Sequence, residues 1–136
     1  MFPQHLPDYI KTEIAVEAAV INGDATVDVE DIDRQDFLSG VLSVPVYYDS
    51  DDDADDNDIT ITVEHSNETG TGYAEYETED FTVDNEEHKI LEIDLDLKAA
   101  KRYLKVEVEC KEDEADDDVN IAGVLTLGGA VDKPVE

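Results

Sequence analysis

A chain of 136 residues is one domain's worth and long enough to bury a core. Its 38 Asp and Glu against 9 Lys and Arg give a formal net charge of -29, a balance that usually signals disorder, yet 40% of the residues are apolar and fall in alternating runs. No run approaches the roughly 20 apolar residues of a membrane span. The opening MFPQHLPDYIK lacks a secretory signal, and a single cysteine, Cys110, excludes an intrachain disulfide and a CxxC metal motif. The expectation is a soluble, untargeted, folded protein with a highly charged exterior.

The apolar period is two nearly everywhere, which predicts strands. In TEIAVEAAVI, Ile14, Val16, Ala18 and Val20 are expected on one face, and the Asn-Gly pair of NGD at 22 to 24 suits a tight hairpin. ATVDVEDID alternates Val27 and Val29 with acids. FLSGVLSVPVYYD sets Leu38, Leu42, Val44, Val46 and Tyr48 on one face, and Pro45, which cannot donate to a ladder, predicts an edge or a bulge. After the acidic DSDDDADDND comes the strand ITITVEHS, with Ile59, Ile61 and Val63 pointing one way. SNETGTG at 66 to 72 reads as a turn. YAEYETEDFTV, with Tyr73, Tyr76, Phe81 and Val83, supplies one or two short strands. KILEIDLDL places Leu91, Ile93, Leu95 and Leu97 inward, and KAAK marks a corner. RYLKVEVEC turns Leu104, Val106, Val108 and Cys110 inward; after KEDEADDD the last strand, VNIAGVLTLGGA, buries Val119, Ile121, Leu125 and Leu127. Eight or nine strands without a helical period predict an all-β, single-domain antiparallel β-sandwich, a pattern also compatible with a jelly roll. The organisation read from the chain is an N-terminal arm over 1–8, a sandwich over 9–128 and a C-terminal tail over 129–136.

The acids admit three explanations. Adaptation to molar salt spreads carboxylates over the whole surface and keeps lysine scarce, because at about 1 M salt the Debye length is roughly 3 Å and repulsion is screened. A mimic of DNA would hold them in rows on one face. A metal site would converge them. Asp53, Asp55, Asn57 and Glu64 do occupy positions one, three, five and twelve of a calcium loop. The sharp turn needs glycine where this chain has Asp58, however, and a strand carries Glu64 about 20 Å beyond Asp58 at about 3.3 Å per residue. What survives is a labile cation, weakly held by Asp51, Asp53, Asp55 and Asp58, or by Asp116, Asp117 and Asp118 if the two acidic turns are neighbours. No other cofactor is implied.

Catalytic constellations are missing. His5, His65 and His88 lack paired spacing such as HExxH, and Ser39, Ser43, Ser50 and Ser66 lack a GxSxG elbow. GTG at 70 to 72 and LGG at 127 to 129 lack the helix a phosphate loop requires. A local basic cluster, Lys98, Lys101, Arg102 and Lys105, has two readings: a strand entry paired with nearby acids, or a contact point for an acidic partner or a second copy of the chain. Exposed ion pairs contribute only about 0 to 1 kcal/mol, so stability alone is a poor reason for it.

AAKRYLKVEVE followed by VNIAGVLTLGGAVDKPV resembles the closing segment of small β-sandwich virion proteins from tailed phages. In that group an Arg-Tyr pair opens a strand, and a last strand runs into a Leu-Gly-Gly-Ala turn and a Pro-Val tail. VEHSNETGTGYAEY resembles the group's central strand and turn. There a Ser is usually followed by Asp-Asp-Gly and an aromatic, whereas this chain reads Ser66, Asn67, Glu68, Thr69, Gly70. The resemblance covers about residues 58 to 135. It implies a non-enzymatic capsid decoration or minor head protein on the virion surface, partnered by the major capsid protein and by copies of itself, most often as a trimer, without membrane or direct nucleic-acid binding. With the acid-rich surface, it implies a tailed virus of halophilic archaea. A tail or head-to-tail connector component, a DNA-mimicking inhibitor and a halophilic cellular sandwich module are the alternatives.

Overall fold

Alternating β-branched and acidic residues become eight strands in the computed structural model, which describes residues 10–22, 25–49, 56–111 and 118–130. They are β1 (Lys11–Asn22), β2 (Ala25–Asp33), β3 (Phe37–Asp49), β4 (Asp56–Ser66), β5 (Ala74–Asp84), β6 (His88–Asp96), β7 (Tyr103–Lys111) and β8 (Asp118–Ala130). Two four-stranded antiparallel sheets face each other, ordered β1-β8-β3-β6 and β2-β7-β4-β5. Among the described strands only β4 and β5 are chain neighbours within one sheet; every other step crosses to the opposite sheet. That order is the eight-stranded jelly roll, two interlocked Greek keys.

The inward residues are those the alternation selects. Leu42, Val44, Tyr48, Leu91 and Leu125 from the β1 sheet meet Ile59, Ile61, Val63, Val106 and Val108 from the β2 sheet, all essentially without exposure. Cys110 lies among them, fully buried. A core of this kind explains how so charged a chain folds: at about 25 cal/mol per Å² of apolar area removed from water, burial offsets chain entropy and leaves the carboxylates solvated.

Three sequence expectations are corrected. The strands flanking NGD do not form a hairpin, because β1 pairs with β8 and β2 with β7; Asn22 thus ends one sheet while Ala25 begins the other. Pro45 lies on an interior strand: β3 runs between β8 and β6. Its pairing with β6 is continuous through Pro45 and Ile90, while pairing with β8 lapses between Ser43/Val124 and Val46/Ile121, where the missing N–H is tolerated. The third concerns β1. Its register against β8 slips between Ile14 and Val16 and again between Val16 and Ala19. Each irregularity shifts the alternation, so Ala15, Val16 and Ile21 are buried while Ile14, Ala18 and Val20 face outward.

Two of the four edge strands, β1 and β5, carry features that oppose strand addition. β1 carries its irregularities and a Lys11–Glu13 ion pair of 2.9 Å. β5 sets Glu77 and Glu79 in register with the buried Val63 and Ile61, and inward-leaning charge on an edge discourages strand addition. The last strand continues to Ala130, past the expected start of the tail at 129. The N-terminal arm lies outside the described residues.

Candidate interaction surface

The two outer faces of the sandwich differ in chemistry. Registered residues on the β2 sheet give rows such as Asp28–Glu107–Thr62–Thr78 and Thr26–Glu109–Thr60–Asp80. Threonine hydroxyls serve the carboxylates: Thr60 Oγ1 donates to Asp80 at 2.7 Å and Thr82 Oγ1 to Asp58 at 3.0 Å. Lys105 stands in the middle, with Nζ 3.7 Å from Asp28, 3.8 Å from Glu64 and 4.0 Å from Glu107.

Opposite it, the β1 sheet gives rows Ile14–Val124–Ser43–Glu92 and Val20–Asn120–Tyr47–His88. Among the described residues, the outward positions of β1, β8 and β3 between Thr12 and Val20, Asn120 and Gly128, and Ser39 and Tyr47 present no carboxylate to this face. Glu17, at the irregular part of β1, lines a separate groove with Val27 and Asp28 on the β2 side. Carboxylates return at the margins, on β6 as Glu92, Asp94 and Asp96 and at one end as Asp49 opposite Asp118. The exposed large aliphatics among the described residues are Ile14 (58%), Val20 (57%), Val41 (38%) and Ile90 (63%), and all four stand on this face. Ala18, Val20, Pro45, Tyr47 and Ala122 floor a shallow concavity of about 600 Å³, with His88 stacked on Tyr47 at 4.3 Å between centroids. A contiguous apolar patch with a polar rim is the kind of surface that proteins use for contact.

The basic cluster is divided by the fold. Arg102 donates from Nε and Nη2 to the two carboxylate oxygens of Asp33 at 3.2 and 2.9 Å, and Lys105 lies in the acid-lined row. Arg102's hydrogen bond holds the Asp33 carboxyl below its ordinary range. Lys98 and Lys101 are exposed at the β6–β7 corner, where Arg34, which sequence reasoning had passed over, donates to the carbonyls of Ala100, Lys101 and Phe37. The Lys101 N–H donates to His65 Nδ1 at 3.1 Å, so that imidazole nitrogen is an acceptor; burial first, then Lys101 and Arg34, push its pKa down.

A second latch joins β2 to the β4–β5 turn. Asp31 Oδ1 accepts from Tyr73 Oη at 2.6 Å and from the Gly70 N–H at 2.8 Å, and the Asp31 N–H donates back to Tyr73 Oη at 2.9 Å. These bonds lower the Asp31 pKa, while burial and the bond to Asp31 push the Tyr73 phenol up to about 12.

Of the cation candidates, Asp58 is exposed on β4 beside Thr82, and Asp118 opens β8. Asp51, Asp53, Asp55, Asp116 and Asp117 lie outside the described residues. The strand ends flanking both acidic runs meet at one end of the sandwich, where Asp49 registers with Asp118 and Asp58 with Lys111. Asp58 and Glu64 lie on one continuous strand, which is the ground on which the calcium loop is rejected. Among the described residues no group of three His, Cys, Asp or Glu is placed to hold a metal ion. No helix there is long and apolar enough to cross a membrane.

No family model and no curated protein matches the sequence. Solved structures do match the fold. The T13 particle of infectious bursal disease virus superposes with a TM-score of 0.60 at 10% identity over 89% of this chain and 31% of that one. The Gx strain of the same virus gives 0.60 at 14% identity over 90% and 32%. Dimeric latent PorU from Porphyromonas gingivalis gives 0.55 at 7% identity over 90% and 13%. The likeness is one of fold. This chain spans about a third or less of each of those chains, and the jelly roll is shared by a virus particle and a protein of another kind.

Proposed function

We propose that this chain is a non-enzymatic structural protein of a virion, bound to the outer surface of a tailed-virus capsid as a decoration that reinforces the shell. The observation that carries the reading is the eight-stranded jelly roll, alike over about nine-tenths of the chain to the proteins of a virus particle. The tailed-virus assignment rests on the resemblance of AAKRYLKVEVE and VNIAGVLTLGGAVDKPV to small phage virion proteins. The halophilic host rests on the charge of -29 and the acid-dense β2 sheet. In this reading the acidic sheet faces brine and surface complementarity does the binding, with the major capsid protein and further copies of the chain as partners and a trimer as the assembly the resemblance implies. Cations in the acidic turns would be labile.

Cosedimentation of the purified protein with isolated capsids in 3 M salt tests this, with electron microscopy of the decorated particle locating the chain. Saturable binding at symmetry-related sites is expected. Deleting residues 1–8 is expected to weaken binding; an unchanged affinity removes the arm from the reading, and no binding by the full chain removes the reading.

One observation favours a second reading. Carboxylates are crowded on one face and sparse on the other, which is closer to what a DNA mimic needs than an even coat is. Capture of a DNA-binding protein that duplex DNA competes away would support the mimic and displace the virion assignment.

A further inference from the structure

We infer that the outer face of the β1 sheet is where two copies of this chain pack against each other, sheet on sheet about a twofold axis. The inference goes beyond the proposed function by naming a partner for this face, sets a twofold pair where the resemblance implies a trimer, and rests on that reading only for its biological setting.

Charge selects the occupant. A basic partner would be drawn to the β2 sheet, with its rows of Asp and Glu, and not to a face of Ile, Val, Ala and Pro. The apolar face suits a partner that is itself acidic, because contact there leaves the acid rows of the β2 sheets on the far sides and brings together only the carboxylates at the margins of the face. The acidic partner whose surface is known is a second copy, at -29. Pairing must then be isologous, since a head-to-tail contact needs a second, different patch. All four exposed large aliphatics among the described residues stand on this one.

Geometry agrees. Four strands about 4.8 Å apart and nine residues long at about 3.3 Å each present about 19 by 30 Å. Two such faces bury about 1,100 Å², close to the lower end of roughly 1,200–2,000 Å² for specific interfaces. A twofold axis parallel to the strands lays β8 over β3 and the acidic margin of β6 over the aliphatic β1, so the β6 carboxylates stand at opposite rims. At one end Asp49 and Asp118 of the two copies come together, which makes the contact dependent on screening. Sheets packed in this way align within about 30°. Edge-to-edge pairing through β1 or β5 is opposed by the irregular register of β1 and the inward-leaning Glu77 and Glu79 of β5.

Sedimentation equilibrium of the full chain tests the pairing, run between 0.5 and 3 M potassium chloride beside the double variant Val20→Glu/Ile90→Glu and the control Thr26→Glu on the β2 sheet. Expected are a dimer that tightens as salt rises, a monomeric double variant that keeps the wild-type circular-dichroism spectrum but melts lower for want of the partner, and an unchanged control. A contact built on the Lys98–Lys105 cluster would weaken with salt instead, and that result overturns the inference. So do a wild type that is monomeric in 3 M salt, a trimer, a dimer indifferent to the double variant, or a dimer lost on deleting residues 1–8. Capsid cosedimentation of the same samples separates the two claims. A monomer that still binds capsids refutes the pairing alone, and a dimer that ignores them refutes the virion reading alone.

Discussion

Gly123 sits on β8 beneath the irregular stretch of β1, and replacing it with alanine tests whether that irregularity is built around a missing side chain. A Cβ there would meet Val16 Cγ2 at 2.8 Å, Val16 Cβ at 2.9 Å and Val44 Cγ2 at 3.2 Å, against about 3.5 to 4.0 Å for comfortable carbon contacts. Val16 is buried and branched at the atom in question, so it cannot swing away; β1 itself must shift by about half an ångström or more. Overpacking of this kind costs typically 1 to 3 kcal/mol, and a contact with a Cβ belongs in the upper half of that range. Alanine recovers about 0.5 to 1 kcal/mol of backbone entropy relative to glycine. The net loss is about 1.5 kcal/mol, which for a domain of this size lowers the melting temperature by about 4 to 8 °C. Gly40→Ala is the control: its neighbours are the methyl ends of Leu125, Leu127 and Leu97 at 3.1, 3.4 and 3.5 Å, which can rotate aside. Circular-dichroism melts of both variants in 3 M salt decide the matter. If Gly123→Ala melts within 2 °C of wild type, or no lower than Gly40→Ala, the account of β1 is wrong.

Melts in 0.1 and 3 M sodium or potassium chloride are expected to differ strongly, with stability lost at low salt as repulsion among 38 acids goes unscreened; a flat response refutes halophilic adaptation. Tyr73→Phe is expected to destabilise by removing the bond to Asp31. Because Asp31's pKa is depressed in the fold, its contribution is full above the unfolded value near 3.8 and lost as pH falls through the folded one. The gap between wild type and Tyr73→Phe should therefore shrink below about pH 4, and a gap constant to pH 2 refutes the latch. Glu86 holds a φ of 59° in the β5–β6 turn, so Glu86→Gly should raise stability by about 0.5 to 1 kcal/mol in denaturant titrations; a loss would show that its side chain matters more than its backbone.

Sequence and structure agree where a strand keeps strict alternation. Leu91 to Leu97, Leu104 to Cys110 and Ile59 to Val63 lie where the period of two places them, because each side chain follows its pleat. Agreement fails where the period slips. TEIAVEAAVI reads as one apolar face, and nothing in it signals two irregularities; the clue is Gly123 on the partner strand, invisible until the pairing is known. The apolar face is hidden for the same reason, since the local pattern places Val20 in the core and Pro45 at an edge or a bulge. Long-range pairing also hid the jelly-roll order, which local pattern does not encode, and the division of labour in KAAKRYLK, where Arg102 and Lys105 pair with acids about 70 and 40 or more residues distant.

Opposite the apolar face lies the β2 sheet, whose outer rows mix carboxylates with threonine hydroxyls. Such a lattice binds water tightly, and its threonines supply donors that free acids lack. Repeated over a closed shell, it would give the particle a hydrated anionic coat. Two particles meeting in brine would then touch water before protein, and stay dispersed where salt otherwise drives proteins out of solution.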